Sequence, residues 1–194
     1  MHGLNTILGT QSKVFVLRVL LRAGKPLTGR AVERLSGLSN RATMLALDAL
    51  VEARAVTRRA SGRAYLFALN RNNYLVMKAI RPAFNAEEFF WDDVRKTVRR
   101  LVRPRPRAAV ATGPLARDET EYGGRLILTM VFQSARSRMG ALSTMDRLSS
   151  TTRERYAMTL EHHLLDINTM DRAEYVPLWR RVEREGILLF GTLP

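Results

Sequence analysis

Catalysis needs nucleophiles, acid–base pairs or metal ligands at fixed spacings, and this chain supplies few of them. It contains no cysteine, which removes thiolate nucleophiles, thiolate zinc sites and any disulfide framework together. His162 and His163 are adjacent, so on a strand they point to opposite faces and cannot share one metal ion. Asp118, Glu119 and Glu121 sit in a glycine-containing loop and form the one cluster able to offer several oxygens to a cation in an unexpected register. No Ser-His-Asp or two-carboxylate set can be assembled from spacing alone. The abundant chemistry is cationic. The chain has 32 Lys and Arg against 18 Asp and Glu, a net charge of +14 and a pI near 11.3. A polyanion is the implied partner, because phosphate contacts release condensed counterions.

The charge is unevenly placed. Residues 1–107 hold 21 Lys and Arg against 7 Asp and Glu, whereas residues 108–194 hold 11 of each. The whole surplus therefore lies in the first half, which argues for a polyanion-binding module followed by a neutral one. A hydrophobic fraction of 46% lets each half bury a modest core. No run of about 18 uncharged apolar residues occurs and no secretory leader is legible. The expectation is a cytoplasmic, nucleoid-associated protein with no membrane partner.

Those cations need elements to carry them. Residues 11–23 place apolar side chains at helical spacing, and Gly24, Lys25 and Pro26 stop that helix. Thr28 suits the N-cap of a short second helix ending at Ser36-Gly37, and Ser39 caps a third. In the third, Thr43, Leu47 and Leu50 face inward while Asn40, Arg41, Met44 and Asp48 share the opposite face. Two extended runs, 55–59 and 64–69, are joined by a turn at Gly62. A helix over 72–84 is expected to bend near Pro82, and Asn85 with Glu88 reads as a capping box for a helix reaching Val102. The cations Arg95, Lys96, Arg99, Arg100, Arg103, Arg105 and Arg107 follow. They complement a helix C-terminus and also suit a secondary phosphate contact. Phe89, Phe90 and Trp91 read as core or dimer contacts, and RPRPR at 103–107 as a basic linker. Beyond it, extended runs at 108–112, 126–132 and 160–167 alternate with helical stretches, the last at 172–185, which predicts a small mixed sheet.

The segment LTGRAVERLSGLSNRATMLALDALVEARAVTRRASGRAYLFALN resembles the winged helix-turn-helix of bacterial regulators. The matching features are the apolar positions of the second helix, the turn Gly37-Leu38-Ser39, the core positions Leu47 and Leu50, and Val56 opening a basic wing. The resemblance implies that Asn40, Arg41 and Met44 face base edges in the major groove, that Thr28, Arg30 and Ser39 lie near phosphates, and that Arg58, Arg59 and Arg63 ride on the wing. One departure is Arg54, where such sequences usually place a glycine.

The order of winged helix, LNRNNYL, AVATGPLARDETEYGGRLILTMVF and a terminal WRRVEREGILLFG resembles prokaryotic proteins in which a winged helix is fused to a polymerase-beta-like nucleotidyltransferase domain. In active members a Gly-Ser turn follows the first strand, and an Asp-x-Asp on the second strand holds magnesium. Laid on this sequence, the turn is Gly113-Pro114 and the aspartate positions fall near Arg125 and Ile127, neither of which binds magnesium. Asp166 is the candidate for the third carboxylate.

The combined expectation is an α+β protein. Residues 1–71 form a winged helix-turn-helix, 72–107 linker helices and a basic linker, and 108–194 a small mixed-sheet nucleotidyltransferase-like domain without catalysis, cofactor or metal. It would act as a sequence-specific transcriptional regulator on duplex DNA, as a homodimer, with Gly113 and Arg125 placed for a nucleotide or other anionic ligand. The alternatives are a magnesium-dependent nucleotidyltransferase with a rearranged metal site, and an antitoxin-like DNA-binding partner protein.

Overall fold

The computed structural model describes residues 3–119 and 123–192. The chain divides into two units, Met1–Phe89 and Phe90–Pro194, and is mixed α+β in composition. No helix among the described residues is long and apolar enough to cross a membrane.

The first unit opens with α1 (Gly3–Leu8) and α2 (Gln11–Ala23). Thr10 caps α2 by accepting a hydrogen bond from the Lys13 N–H, and Gly24, at φ +63°, ends it in the left-handed conformation. A two-residue strand, β1 (Leu27–Thr28), precedes α3 (Gly29–Ser36) and α4 (Asn40–Glu52). The hairpin of β2 (Val56–Ser61) and β3 (Ala64–Leu69) turns at Gly62-Arg63, with Gly62 at φ +58°. β1 was not anticipated by sequence pattern and pairs with β3, giving the order β1-β3-β2. Val16, Leu17, Leu20, Val32, Leu47, Leu50 and Phe67 are buried together. α4 ends through the left-handed turn that usually selects glycine, here taken by Arg54 at φ +55°. The carbonyl of Arg54 accepts hydrogen bonds from the Asn70 and Asn73 side chains at 2.7 and 3.1 Å, which fix a conformation disfavoured for a residue with a Cβ.

Downstream the structure departs from the expected bend and capping box. The chain is helical through a π-turn at Val76–Ile80 and on into α5 (Arg81–Glu88). Pro82 sits in the first turn of α5, where its missing N–H is tolerated. Asn85 lies inside α5 and its carbonyl accepts the Phe89 N–H, so it caps nothing.

In the second unit α6 (Phe90–Leu101) packs Val94, Val98 and Leu101 into the core. The sheet comprises β4 (Ala108–Thr112), β5 (Arg125–Phe132), β6 (Thr159–Asp166) and β7 (Ile187–Phe190), in the order β6-β5-β4-β7. β4 runs antiparallel to β5 and β7, while β6 runs parallel to β5. Leu126, Leu128, Met130 and Phe132 of β5 join α6, Ala141 of α7 (Ala135–Leu142) and α8 (Met145–Tyr156) on one face. Val131 points to the other, toward Leu165, Met170 and the Leu178 and Trp179 side chains of α9 (Val176–Glu185). Burial on both faces explains why β4 and β5 read as continuous apolar runs. α9 begins four residues later than the sequence suggests, after a 3-10 turn at Ala173–Tyr175. The RPRPR segment lies within this unit: Pro106 is buried and the Arg107 N–H bonds the Val131 carbonyl at 2.7 Å.

Candidate nucleic-acid interface and the Gly113 corner

Side-chain caps in the first unit set the helices that carry its cations. Thr28 Oγ1 accepts from the Ala31 N–H and Ser39 Oγ from the Ala42 N–H, both at 3.3 Å, so these two residues hold the starts of α3 and α4. Arg30, beside Thr28, is exposed. On α4, Arg41 is exposed, and Asn40 donates to Glu33 Oε2 at 2.8 Å.

Met44 differs from the expectation of a base-facing side chain. It is half-buried against the core, its sulfur 3.1 Å from where a Cβ on Gly29 would stand. One residue of helix rotation puts Leu45, 62% exposed, on the outer face between Arg41 and Asp48. The misplacement is physical: a flexible thioether fills the irregular gap left by a glycine, which a periodicity count does not register.

The hairpin projects from the core. In β2 only Val56 is buried. Arg58 lies opposite Phe67, on the ribbon face turned to α4; its guanidinium is 3.4 Å from Asp48 and stacks over the Tyr65 ring at 4.9 Å. Arg59 points to the opposite face, and Arg63 is exposed at the tip. Among the described residues no carboxylate lies within 4.0 Å of Arg30, Arg41, Arg59 or Arg63. A groove of about 590 Å³ elsewhere in this unit, lined by Lys25, Pro26, Arg71, Met77 and Arg81 among others, includes none of the residues expected to contact DNA.

In the second unit the two residues expected at a ligand site are each bonded to a carboxylate of the chain itself. Gly113 turns at φ +88°, and a Cβ there would come within 2.8 Å of Ile127 Cδ1, so both conformation and space require glycine. Its N–H donates to Glu185 Oε1 at 3.2 Å. The same carboxylate, only 3% exposed, also accepts from Arg117 at 2.5 Å and Arg184 at 3.2 Å. Burial would raise the Glu185 carboxyl, but these three donors outweigh it and hold it below the usual carboxylate range. Arg117 bridges onward to Glu119 at 2.7 Å. Arg125 stands 3.4 Å from Glu161.

Ile127 does lie beside Gly113, and β5 pairs it with Glu161 of β6. Asp166, read from sequence as the third carboxylate, pairs instead with Phe132, five residues farther along the sheet, or roughly 16 Å at the usual strand rise. There it is fully buried, 3.1 Å from Arg138 Nε, and its Oδ1 accepts the Asn168 N–H. Glu185, at Gly113, and Glu161, opposite Ile127, are the carboxylates at the corner, and sequence reasoning missed both because strand register and the docking of α9 are set across long connections. A two-carboxylate magnesium site does not fit these residues, since neither the Arg125 guanidinium nor the Ile127 hydrocarbon can ligate the ion and Glu161 is engaged by Arg125. Among the described residues no three of His, Asp and Glu converge to hold a metal ion. Glu121 lies outside the described residues. His162 and His163 pair with Leu128 and Thr129 and therefore face opposite sides of the sheet.

No protein-family profile and no characterised protein matches the chain. Among solved structures it is similar to a toxin-antitoxin structure with AMP-PNP, at 13% identity and a TM-score of 0.36 over 53% of this chain and 73% of that one. A mutant of the toxin-antitoxin MntA-HpeT gives the same values. Human N-acetylserotonin methyltransferase in complex with SAM is similar at 20% identity and a TM-score of 0.31, over 48% of this chain and 32% of that one.

Proposed function

We propose that the protein is a transcriptional regulator that binds duplex DNA through a winged helix-turn-helix built from α2, α3, α4 and the β2–β3 hairpin. The observation that carries this reading is the exposed set Arg30, Arg41, Arg59 and Arg63 on α3, the outer face of α4 and a projecting ribbon, with no carboxylate within 4.0 Å among the described residues. A helix flanked by such a ribbon suits the major groove with the adjacent backbone, and arginine serves base edges and phosphates alike. The second unit is, in this reading, a nucleotidyltransferase-like domain without catalysis that supports dimerisation or senses an anionic ligand. What supports the absence of catalysis is the Gly113 corner, where Glu185 and Arg117 satisfy each other and Arg125 and Ile127, aligned with metal ligands only by the sequence resemblance, supply no carboxylate.

Selection of duplexes from a random library, followed by anisotropy across a salt series, tests this. With about six phosphates contacted, log K falls against log salt with a slope of roughly −5. Failure of the full chain to bind any duplex at low salt sinks the reading. Co-purification with a second protein whose activity the chain suppresses would favour the antitoxin-like alternative.

A further inference from the structure

The cations that begin in α6 are not absorbed by the roles above. From Val94 to Arg117 the sequence carries eight Lys and Arg and no Asp or Glu. α6 turns Val94, Thr97, Val98 and Leu101 inward and leaves Lys96, Arg99 and Arg100 exposed, with Arg103 following one turn on. Several of these groups have internal work. Arg103 donates to the Arg99 and Val102 carbonyls at 2.6 and 2.8 Å, completing the helix end. Arg99 lies 4.7 Å over the Phe190 ring, Arg95 pairs with Asp92 and Arg107 donates to Gln133.

Lys96, Arg100 and Arg105 are exposed, and among the described residues none has a carboxylate within 4.0 Å. The backbone at Arg105 is held in place. Arg105 stands between Pro104 and Pro106, which restrict the backbone on both sides. Pro106 is buried, and Pro104 packs so closely on Gly140 that a Cβ there would lie 3.1 Å from its Cδ. Lys96 and Arg100 lie one turn apart on α6, and a bound polyanion relieves their mutual repulsion.

We propose that Lys96, Arg100 and Arg105 form a second contact to the phosphate backbone of nucleic acid, located in the second unit and separate from α4 and the hairpin. The inference rests on the reading of the protein as a duplex-DNA binder. A lipid surface is the poorer occupant, because the apolar face of α6 is already in the core and its outward face offers no large apolar side chain to a bilayer.

The test uses the full-length chain carrying Lys96→Gln, Arg100→Gln and Arg105→Gln together, exposed positions where folding is checked by thermal melting. Against a selected duplex and a scrambled one, the slope of log K on log salt becomes shallower by about 2.7, at about 0.9 per lost phosphate contact. Affinity falls by the same factor on both duplexes. Duplex binding with an unchanged slope overturns this inference and leaves the proposed function standing. Absence of duplex binding by the unsubstituted chain overturns both. Binding to phosphatidylserine vesicles that the triple variant loses, with the duplex slope unaltered, assigns the strip to membranes and likewise overturns the proposal.

Discussion

Both units hold paired and open arginines, but the candidate DNA-facing set of the first and the ties of the second use theirs in opposite ways. In the first, Arg30, Arg41, Arg59 and Arg63 meet solvent without a carboxylate within reach among the described residues. In the second, Arg117, Arg125, Arg138 and Arg155 each hold one. A guanidinium bonded to a carboxylate is locally neutral and acts as a structural tie, whereas one left open keeps its charge and its five donors for a phosphate or a base edge. In the proposed reading the open set serves recognition and the paired set serves cohesion, and the second unit carries open cations too, among them Lys96, Arg100 and Arg105.

The strongest way to break the contrast is at Arg138. Asp166 is fully buried and Arg138 is its only cation within 4.0 Å among the described residues. Arg138→Met leaves a buried carboxylate uncompensated and costs about 3 kcal/mol of stability, read by denaturant unfolding with tryptophan fluorescence. Adding Asp166→Asn recovers part of that loss, because a neutral amide is cheaper to bury than a lone charge. A loss from Arg138→Met below about 0.5 kcal/mol, the range of ordinary surface substitutions, would show that this arginine is no tie.

The next effect lies in the first unit. Arg41→Ala removes about 1 to 3 kcal/mol of preference for the selected duplex over an unrelated one. Arg59→Ala, on the ribbon face turned away from α4, weakens both duplexes alike. Equal, sequence-independent losses from the two substitutions would make α4 another phosphate contact and erase its special place.

A smaller effect is visible only through pH. In the second unit Arg155 and the Tyr156 hydroxyl bond Asp93 at 2.7 to 2.8 Å, and Thr97 lies 2.9 Å from the same hydroxyl. The Arg155 hydrogen bonds first, with Tyr156 assisting against burial, lower the Asp93 carboxyl from 3.8 to about 2. The folded form therefore favours the charged carboxylate, so this contribution is fully present above pH 3.8 and is lost as pH falls through 2. Screening at an exposed pair keeps it to about 1 kcal/mol. Asp93→Asn flattens the stability profile across that window, and an unchanged profile would mean the bonds form equally in the unfolded chain.

What the sequence made legible was local. The stops at Gly24 and Gly37, the caps at Thr28 and Ser39 and the turn at Gly62 depend on neighbours a few residues away, and each lies where its pattern indicates. Asn85 carried a valid capping pattern, yet a π-turn kept the helix running past it, because packing of Val76, Ile80 and Phe84 outweighs a cap. The candidate sites needed longer range. Glu185 reaches Gly113 across 72 residues, and Glu161 reaches Arg125 across 36. No periodicity reports such encounters, which are set by strand register.

The smallest expected effect is none at all. The protein is expected to transfer no nucleotidyl group in the presence of Mg²⁺ or Mn²⁺, whichever nucleoside triphosphate and acceptor are supplied. Two-metal catalysis requires carboxylates grouped to clamp the phosphates, and near the Gly113 corner Ile127 and Arg125 supply none. A guanidinium repels a divalent cation through the same Coulomb law by which a carboxylate attracts it. Of the two carboxylates at the corner, Glu161 faces that guanidinium at 3.4 Å, and Glu185 is taken by the Gly113 N–H, Arg117 and Arg184. Asp166 is too far along β6 to assist. The check is incubation of the purified chain with each labelled triphosphate, either metal and candidate protein or RNA acceptors. Replacing Asp118, Glu119 and Glu121 should change nothing, and neither should Glu161→Gln. Transfer by the unsubstituted chain that disappears with the loop carboxylates would place a metal site in the loop and turn the second unit from a tie into an enzyme.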